Sequence, residues 1–535
     1  MRCFLRIMFC LVLAWSLPSA FSESYGAHGR CEQVVGRCID PAKPYTYGHP
    51  YVGHDEPSLL FYSSTPGSGN SGVYLIRLPK DPPTLPNQAG TGGTFNFQLH
   101  PAFWVGMAIC DTQSFPEYTR NCTPDSDSNI FDDVNPNSEH YLGHHPGTAF
   151  MEMQFYPPGW VPWPEGVSCD ATRWCAALNI DSLGFDPATN LANNDACLST
   201  IGEETVNFAF LTLSGNSQAP ANPVQSTLAT YTPDPTKDLF MNSGDLLRVT
   251  VHDTSQGVQI VVNDLTSGQI GSMTASAANG FGQVKFDPSG KACQNIPYNF
   301  HPMYSTSNEH TRVPWAAHSY GIAFSDEIGH FEYCDAVKEE GGPCTKAGVS
   351  DPGGLDSDDQ FCFDGAASTR VRIGGCLDAD LDFDGPPYQL DWPGTLANVN
   401  KDHSLHAQPI RFTSPLFTAT ATGKLENYQN AAFETDQPAF EPSCNVFDGT
   451  GCANPPPGAK FYPVYTTTQV DTKLGGCAWQ LGGTLIPDTL QTFGNSTDEY
   501  GALLLLYYQE PFGYVGNYQD YRAILGSNPC LNTTN

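Results

Sequence analysis

Between residues 245 and 264 the chain alternates apolar and polar residues twice over, and this pattern constrains the fold more than any other feature. Residues 245–253 (DLLRVTVHD) set Leu247, Val249 and Val251 against Arg248, Thr250 and His252. Residues 257–264 (GVQIVVND) repeat the arrangement with Val258, Ile260 and Val262. A period of two belongs to an extended strand that buries one face. Turn-forming residues 254–257 separate the two runs, and residues 265–268 (LTSG) lead into a third run at 269–276. Three short strands joined by tight turns predict an antiparallel meander.

Similar runs recur at 150–156 (FMEMQFY), 206–211 (VNFAFL) and 315–324, among 51 glycines and 44 prolines that interrupt the chain. Helical periodicity over three or more turns is absent, and so is a fixed-period repeat. The expected fold is all-β: a jelly-roll-like antiparallel β-sandwich with a second, smaller β-rich C-terminal region. The expected boundaries are a signal peptide at 1–22, a main sandwich domain with an N-terminal extension at 23–335, an acidic Gly-rich linker at 336–365 and the C-terminal region at 366–535. Strands in that last region are expected at 460–469, 477–486 and 503–509.

The N-terminus points to export. Arg2 and Arg6 precede an apolar run from 7 to 17, followed by the small residues Ala20 and Ser22. That is the layout of a cleaved secretory leader, too short to span a bilayer. Two of the 18 cysteines fall within it, so an even number remains, which in a secreted chain predicts disulfides. Local pairs at Cys31/Cys38, Cys110/Cys122, Cys169/Cys175 and Cys444/Cys452 fit the spacing, while a paired CxxC zinc ribbon is missing. Asn121, Asn495 and Asn532 head Asn-x-Thr sequons. The formal net charge of −32 argues against nucleic-acid partners and anionic membranes, and a chain poor in lysine suits an acidic medium. A secreted, extracellular location without membrane insertion is expected.

The chemistry-bearing segment is 150–156. As a strand it sends Met151, Met153 and Phe155 one way and Glu152, Gln154 and Tyr156 the other. The first trio suits a sandwich core, and the second would then line the outer surface of its sheet. Tyr156, Trp160 and Trp163, on a Pro/Gly-rich stretch, suit stacking on sugar rings.

A strand carrying Glu-x-Gln, together with the segment GDLLRVTVHDTSQGVQIVVNDLTSGQIGS, resembles the concanavalin A-like jelly rolls. That superfamily includes glycoside hydrolases, polysaccharide lyases, lectins and glutamic peptidases. The resemblance implies an extracellular glycan or cell-wall polymer as partner. A glycosidase requires two carboxyls flanking the scissile bond. Glu152 is the first candidate, with Glu327, Glu332 or Asp326 as its partner and Gln154 where hydrolase members often carry a second acid. The resemblance also implies two alternatives, a non-catalytic glycan-binding or cell-surface protein and an acid peptidase using Gln154 with a glutamate. A purely structural polar face is a further reading of the same strand.

His318 and Tyr320 share a strand face, and with Arg248 or Arg312 they suit substrate binding or proton abstraction. Asp380, Asp382, Asp384 and Asp391 occupy positions 1, 3, 5 and 12 of a loop with Gly385 at position 6, the donor spacing of a calcium loop. Calcium is therefore the one cofactor expected. Serine-nucleophile, phosphate-loop and dinucleotide motifs are absent.

Overall fold

The computed structural model describes residues 58–78, 102–113, 149–156, 169, 173–186, 191–201, 204–307, 315–320, 334–337, 344–347, 410–436, 466–469, 474, 477–481, 502–509, 515–525, 528 and 530–531. In chain order the strands begin with β1 (Ser58–Tyr62), β2 (Ser71–Arg77), β3 (Ala102–Ile109), β4 (Ala149–Tyr156), β5 (Arg173–Leu183), β6 (Phe185–Asp186), β7 (Leu191–Ala192) and β8 (Glu204–Phe210). They continue with β9 (Met241–Asn242), β10 (Leu246–Thr254), β11 (Gly257–Asp264), β12 (Ile270–Thr274), β13 (Gly282–Val284), β14 (Asn295–Pro297), β15 (Trp315–Tyr320), β16 (Cys334–Val337) and β17 (Cys344–Ala347). The last are β18 (Ile410–Thr413), β19 (Leu416–Thr418), β20 (Leu425–Asn427), β21 (Asn430–Asp436), β22 (Thr466–Gln469), β23 (Cys477–Leu481), β24 (Ala502–Gln509) and β25 (Val515–Leu525). Two short α-helices, α1 (Asp195–Ile201) and α2 (Leu228–Tyr231), lie between them.

The chain is all-β, and two antiparallel sheets carry most of the strands. One runs in the order β24-β25-β21-β1-β15-β3-β4-β5-β8, with β9 paired to β5. The other runs β12-β11-β10-β2-β18-β23-β22, with β19 paired to β2 and to β20. Their inner faces meet in a single hydrophobic cluster to which both contribute. Phe61 on β1 packs edge-on against Phe412 on β18 and Trp479 on β23, with ring centroids 6.4 and 5.7 Å apart. All three rings are buried, each contributing about 1.5–3 kcal/mol of hydrophobic free energy.

The meander forms as its alternation requires. Leu247, Val249, Val251, Val258, Ile260 and Val262 are all buried, and β10 pairs with β11 from Leu247↔Asp264 to Thr254↔Gly257. Gly257 closes that turn at φ +123°, where a Cβ would sit 2.5 Å from the Ala275 carbonyl oxygen. The expected strands at 150–156 and 206–211 appear as β4 and β8, and that at 315–324 appears as β15 over Trp315–Tyr320, with 321–324 outside the described residues.

The strands after residue 409 pair with those near the start of the described chain. β18 pairs with β2 and β21 pairs with β1, so the segment at 336–365 separates strands that share the same two sheets. Three disulfides are described: Cys169–Cys175, Cys197–Cys293 and Cys477–Cys530. The first is one of the local pairs the spacing suggested. The other two close loops of 96 and 53 residues and could not be read from spacing. No helix among the described residues is long and apolar enough to cross a membrane.

Candidate functional site

β4 runs between β3 and β5, and its alternation divides the two faces of the strand. Met151, Met153 and Phe155 enter the core, each at most 1 % exposed. On the other face Glu152 lies opposite Gly106 of β3 and Asn179 of β5. Gln154 lies opposite Trp104 and Ala177, and Phe150 lies opposite Asp181. Beyond β3, position 318 of β15 pairs with Trp104 and position 320 pairs with Ala102. Because direct cross-strand partners share a face, Glu152, Gln154, Tyr156, Asn179, Asp181 and positions 318 and 320 belong to one side of the sheet. Gly106 matters here: a Cβ on it would meet the Phe150 ring at 2.2 Å. Its missing side chain is the space that ring fills beside Glu152.

The polar groups on this face form a directed chain. The Tyr156 hydroxyl donates to Gln154 Oε1. Gln154 Nε2 then donates to Glu152 Oε2 at 2.6 Å. Burial pushes the Tyr156 hydroxyl well above the usual phenol range; its hydrogen bond with Asn179 acts the other way, and the charges of Glu152 and Asp181 push it up further. Tyr156 is therefore locked as a donor. This fixes the Gln154 amide, whose nitrogen faces the carboxylate. Asp181 also acts on the Tyr231 hydroxyl of α2, which packs on Phe208 with centroids 5.1 Å apart. That helix packs on β8, the strand next to β5.

Exposure along the face corrects one expectation. The polar trio of β4 does not line an open surface: Gln154 is 7 % exposed, Tyr156 is buried, and only Glu152 is half-buried. Tyr156 lies opposite Cys175, whose disulfide to Cys169 sits at this end of the strand, and the Cys169 sulfur lies 3.7 Å from the Tyr156 carbonyl oxygen.

Of the residues singled out by sequence, Glu152, Gln154 and Tyr156 are brought together, with positions 318 and 320 on the same face by register. Arg248 is not: it is exposed on the outward face of the second sheet, across the core from Glu152. Trp160, Trp163, Asp326, Glu327, Glu332, Arg312 and the loop acids Asp380, Asp382, Asp384 and Asp391 lie outside the described residues. So do the expected leader and the three sequons.

Two residues were missed. Asn179 and Asp181 stand in the run Leu178-Asn179-Ile180-Asp181, whose alternation is the signal that could have found them. The apolar stretch before it hides that signal, and only strand pairing sets Asn179 opposite Glu152. Among the described residues, Asp181 is the acid that joins Glu152 on this face of β4 and β5. No known protein-family model matches the chain, and no curated protein is similar to it in sequence.

Proposed function

We propose that the chain is a secreted glycoside hydrolase acting on extracellular polysaccharide, with Glu152 and Asp181 as its two carboxyls. The observation that carries this reading is the contact between Gln154 and Glu152. The amide holds one carboxylate oxygen in place, while the residue stays half-buried rather than sealed. A carboxylate that accepts a fixed N–H is suited to activate water, which leaves the proton-donor role to Asp181.

Glu152 and Asp181 are diagonal neighbours across β4 and β5, an arrangement that separates the residue positions by about 7–8 Å, with Cβ atoms somewhat closer. Carboxyls held at such a spacing would leave room for a water molecule and invert the anomeric centre, whereas carboxyls about 5 Å apart would retain it, so the stereochemistry of the product tests the pairing. The disulfides and the leader-like N-terminus support an exported protein.

One observation favours a second reading. Asn179 and Asp181 are 4 and 6 % exposed, as deeply placed as Gln154. A buried polar row can serve only to fix strand register and carry a glycan-binding or structural surface above it, although here Asn179 Oδ1 is buried without a hydrogen-bond partner among the described residues. A panel of soluble and insoluble polysaccharides separates the two readings, using wild type, Glu152→Gln and Asp181→Asn in mildly acidic buffer. The hydrolase reading expects product release by wild type alone, with binding kept in both variants. Binding without release by all three proteins moves the assignment to a glycan-binding role.

A further inference from the structure

The outer face of the second sheet carries a charge opposite to that of the chain as a whole. The described strands of this sheet contain three basic residues, one on each of three adjacent strands: Arg248 on β10, Arg77 on β2 and Arg411 on β18. Arg77 and Arg411 are direct cross-strand partners. Arg248 lies opposite Leu75, two residues from Arg77 and so diagonal to it. Each alternates with residues that enter the core, among them Ile76, Leu247 and Phe412, so all three arginines face outward. Arg77 and Arg411 are half-buried, and Arg248 is exposed.

Acids are kept off this face. The same strands contain Asp253, Asp264 and Glu426, which pair opposite Val258, Leu247 and Phe417, all buried in the core. No carboxylate therefore occupies an outward position of the sheet's described strands, in a chain with 56 acidic and 24 basic residues. Like charges placed directly opposite each other across two strands are destabilising, and Arg77 and Arg411 stand so. Arg77 is further oriented by donating Nη1 to the Gly244 carbonyl at 3.0 Å.

We propose that this face is a binding surface for an acidic extracellular polysaccharide, with Arg248, Arg77 and Arg411 pairing with carboxylates on its sugars. Neighbouring strands lie about 4.8 Å apart, so arginines on three consecutive strands form a row about 10 Å long and not a single cradle. A row of this kind matches carboxylates in series, each of which a planar guanidinium can take bidentately. The net charge of −32 repels polyanions at long range, but exposed charges more than about 8 Å apart are largely screened at physiological salt, so the local cluster decides.

Two other polyanions fit less well. The aromatic side chains of the described strands, Tyr74, Phe412, Phe417 and Trp479, are buried, which leaves this face without the stacking platforms that single-stranded nucleic acid uses. An extended acidic polypeptide docks by adding a strand to a sheet edge, whereas β10, β2 and β18 are interior strands between the edges β12 and β22. The surface lies across the core from Glu152 and does not rest on the hydrolase reading.

Titration calorimetry of the full chain with polygalacturonate, dextran and polyglutamate tests the surface. Wild type is expected to bind polygalacturonate, to lose affinity as salt rises and to ignore dextran. Arg248→Ala should weaken binding by about tenfold and Arg248→Glu by more, with Tm unchanged because the side chain is exposed. Arg411→Gln should weaken it by a similar factor; if that variant fails to fold, the two Arg248 variants decide the outcome. Glu152→Gln should bind as wild type does, which separates this surface from the proposed catalytic face. The proposal is overturned if wild type does not bind polygalacturonate, if Arg248→Glu binds it equally well, if Glu152→Gln loses binding, or if polyglutamate binds more tightly.

Discussion

The two polar networks of this sandwich use the same side-chain chemistry to opposite ends. At the β11–β12 turn, Asp264 is completely buried and takes its donors from Thr266 N, Ser267 N and the Ser267 hydroxyl within its own turn. On the outer face of β4, Glu152 receives a side-chain amide that is itself held by a tyrosine, and it stays half-buried. A carboxylate enclosed by its own turn acts as structure, because the donors of that turn already occupy both of its oxygens. One oriented by a neighbouring side chain, with access left over, can exchange a proton with something outside the chain.

The contrast is sharpened first by Glu152→Gln. If this carboxyl reacts, the substitution lowers product release by about 10²–10⁴-fold, the usual contribution of a positioned acid or base, while circular dichroism and Tm stay at wild-type values. The corresponding change at the β11–β12 turn is Asp264→Ala. Removing that acceptor leaves the donors of the exposed Thr266 and Ser267 to solvent and empties a buried site, and it should cost about 1–2 kcal/mol in chemical denaturation without altering product release.

Asp238 gives a pH-dependent test in the same structural region. Its Oδ2 accepts from the Asp234 N–H at 2.7 Å, and its Oδ1 is buried without a partner among the described residues. Burial pushes its carboxyl up to about 7. The folded chain therefore holds a proton that the unfolded chain releases near pH 4, and stability from this group is lost as pH rises through about 7. Asp238→Asn should remove a term on the order of a few kcal/mol from the difference in unfolding free energy between acid and neutral pH. The smallest effect belongs to Tyr156→Phe. It deletes the donor that fixes Gln154 and should cost about 1 kcal/mol, together with a shift in the pH profile of product release.

How much of this was legible in the sequence depended on local pattern. The meander of β10, β11 and β12 was visible because alternation and turn residues coincide within thirty residues, and β4 was visible for the same reason. β1, β3 and β25 were not visible as partners of those strands, because pairing such as Ser58↔Glu434 joins residues hundreds of positions apart and leaves no local trace. The site divides in the same way. Glu152, Gln154 and Tyr156 share one strand and were found together. Asn179 and Asp181 reach the same face only through the register of β4 with β5, so the second carboxyl was sought at Glu327 and Glu332 instead. Burial of Gln154 was also hidden, since a period of two separates the two faces of a strand but does not say what lies over the outer one.

The most direct test sets Glu152→Gln beside Asp264→Ala and measures Tm and polysaccharide product release on the same preparations. The account predicts a clean exchange: Glu152→Gln keeps its Tm and loses release, while Asp264→Ala loses several degrees of Tm and keeps release below its melting range. A Glu152→Gln variant that releases product like wild type, or that melts as far below wild type as Asp264→Ala, would contradict the assignment of Glu152 as the reacting carboxyl.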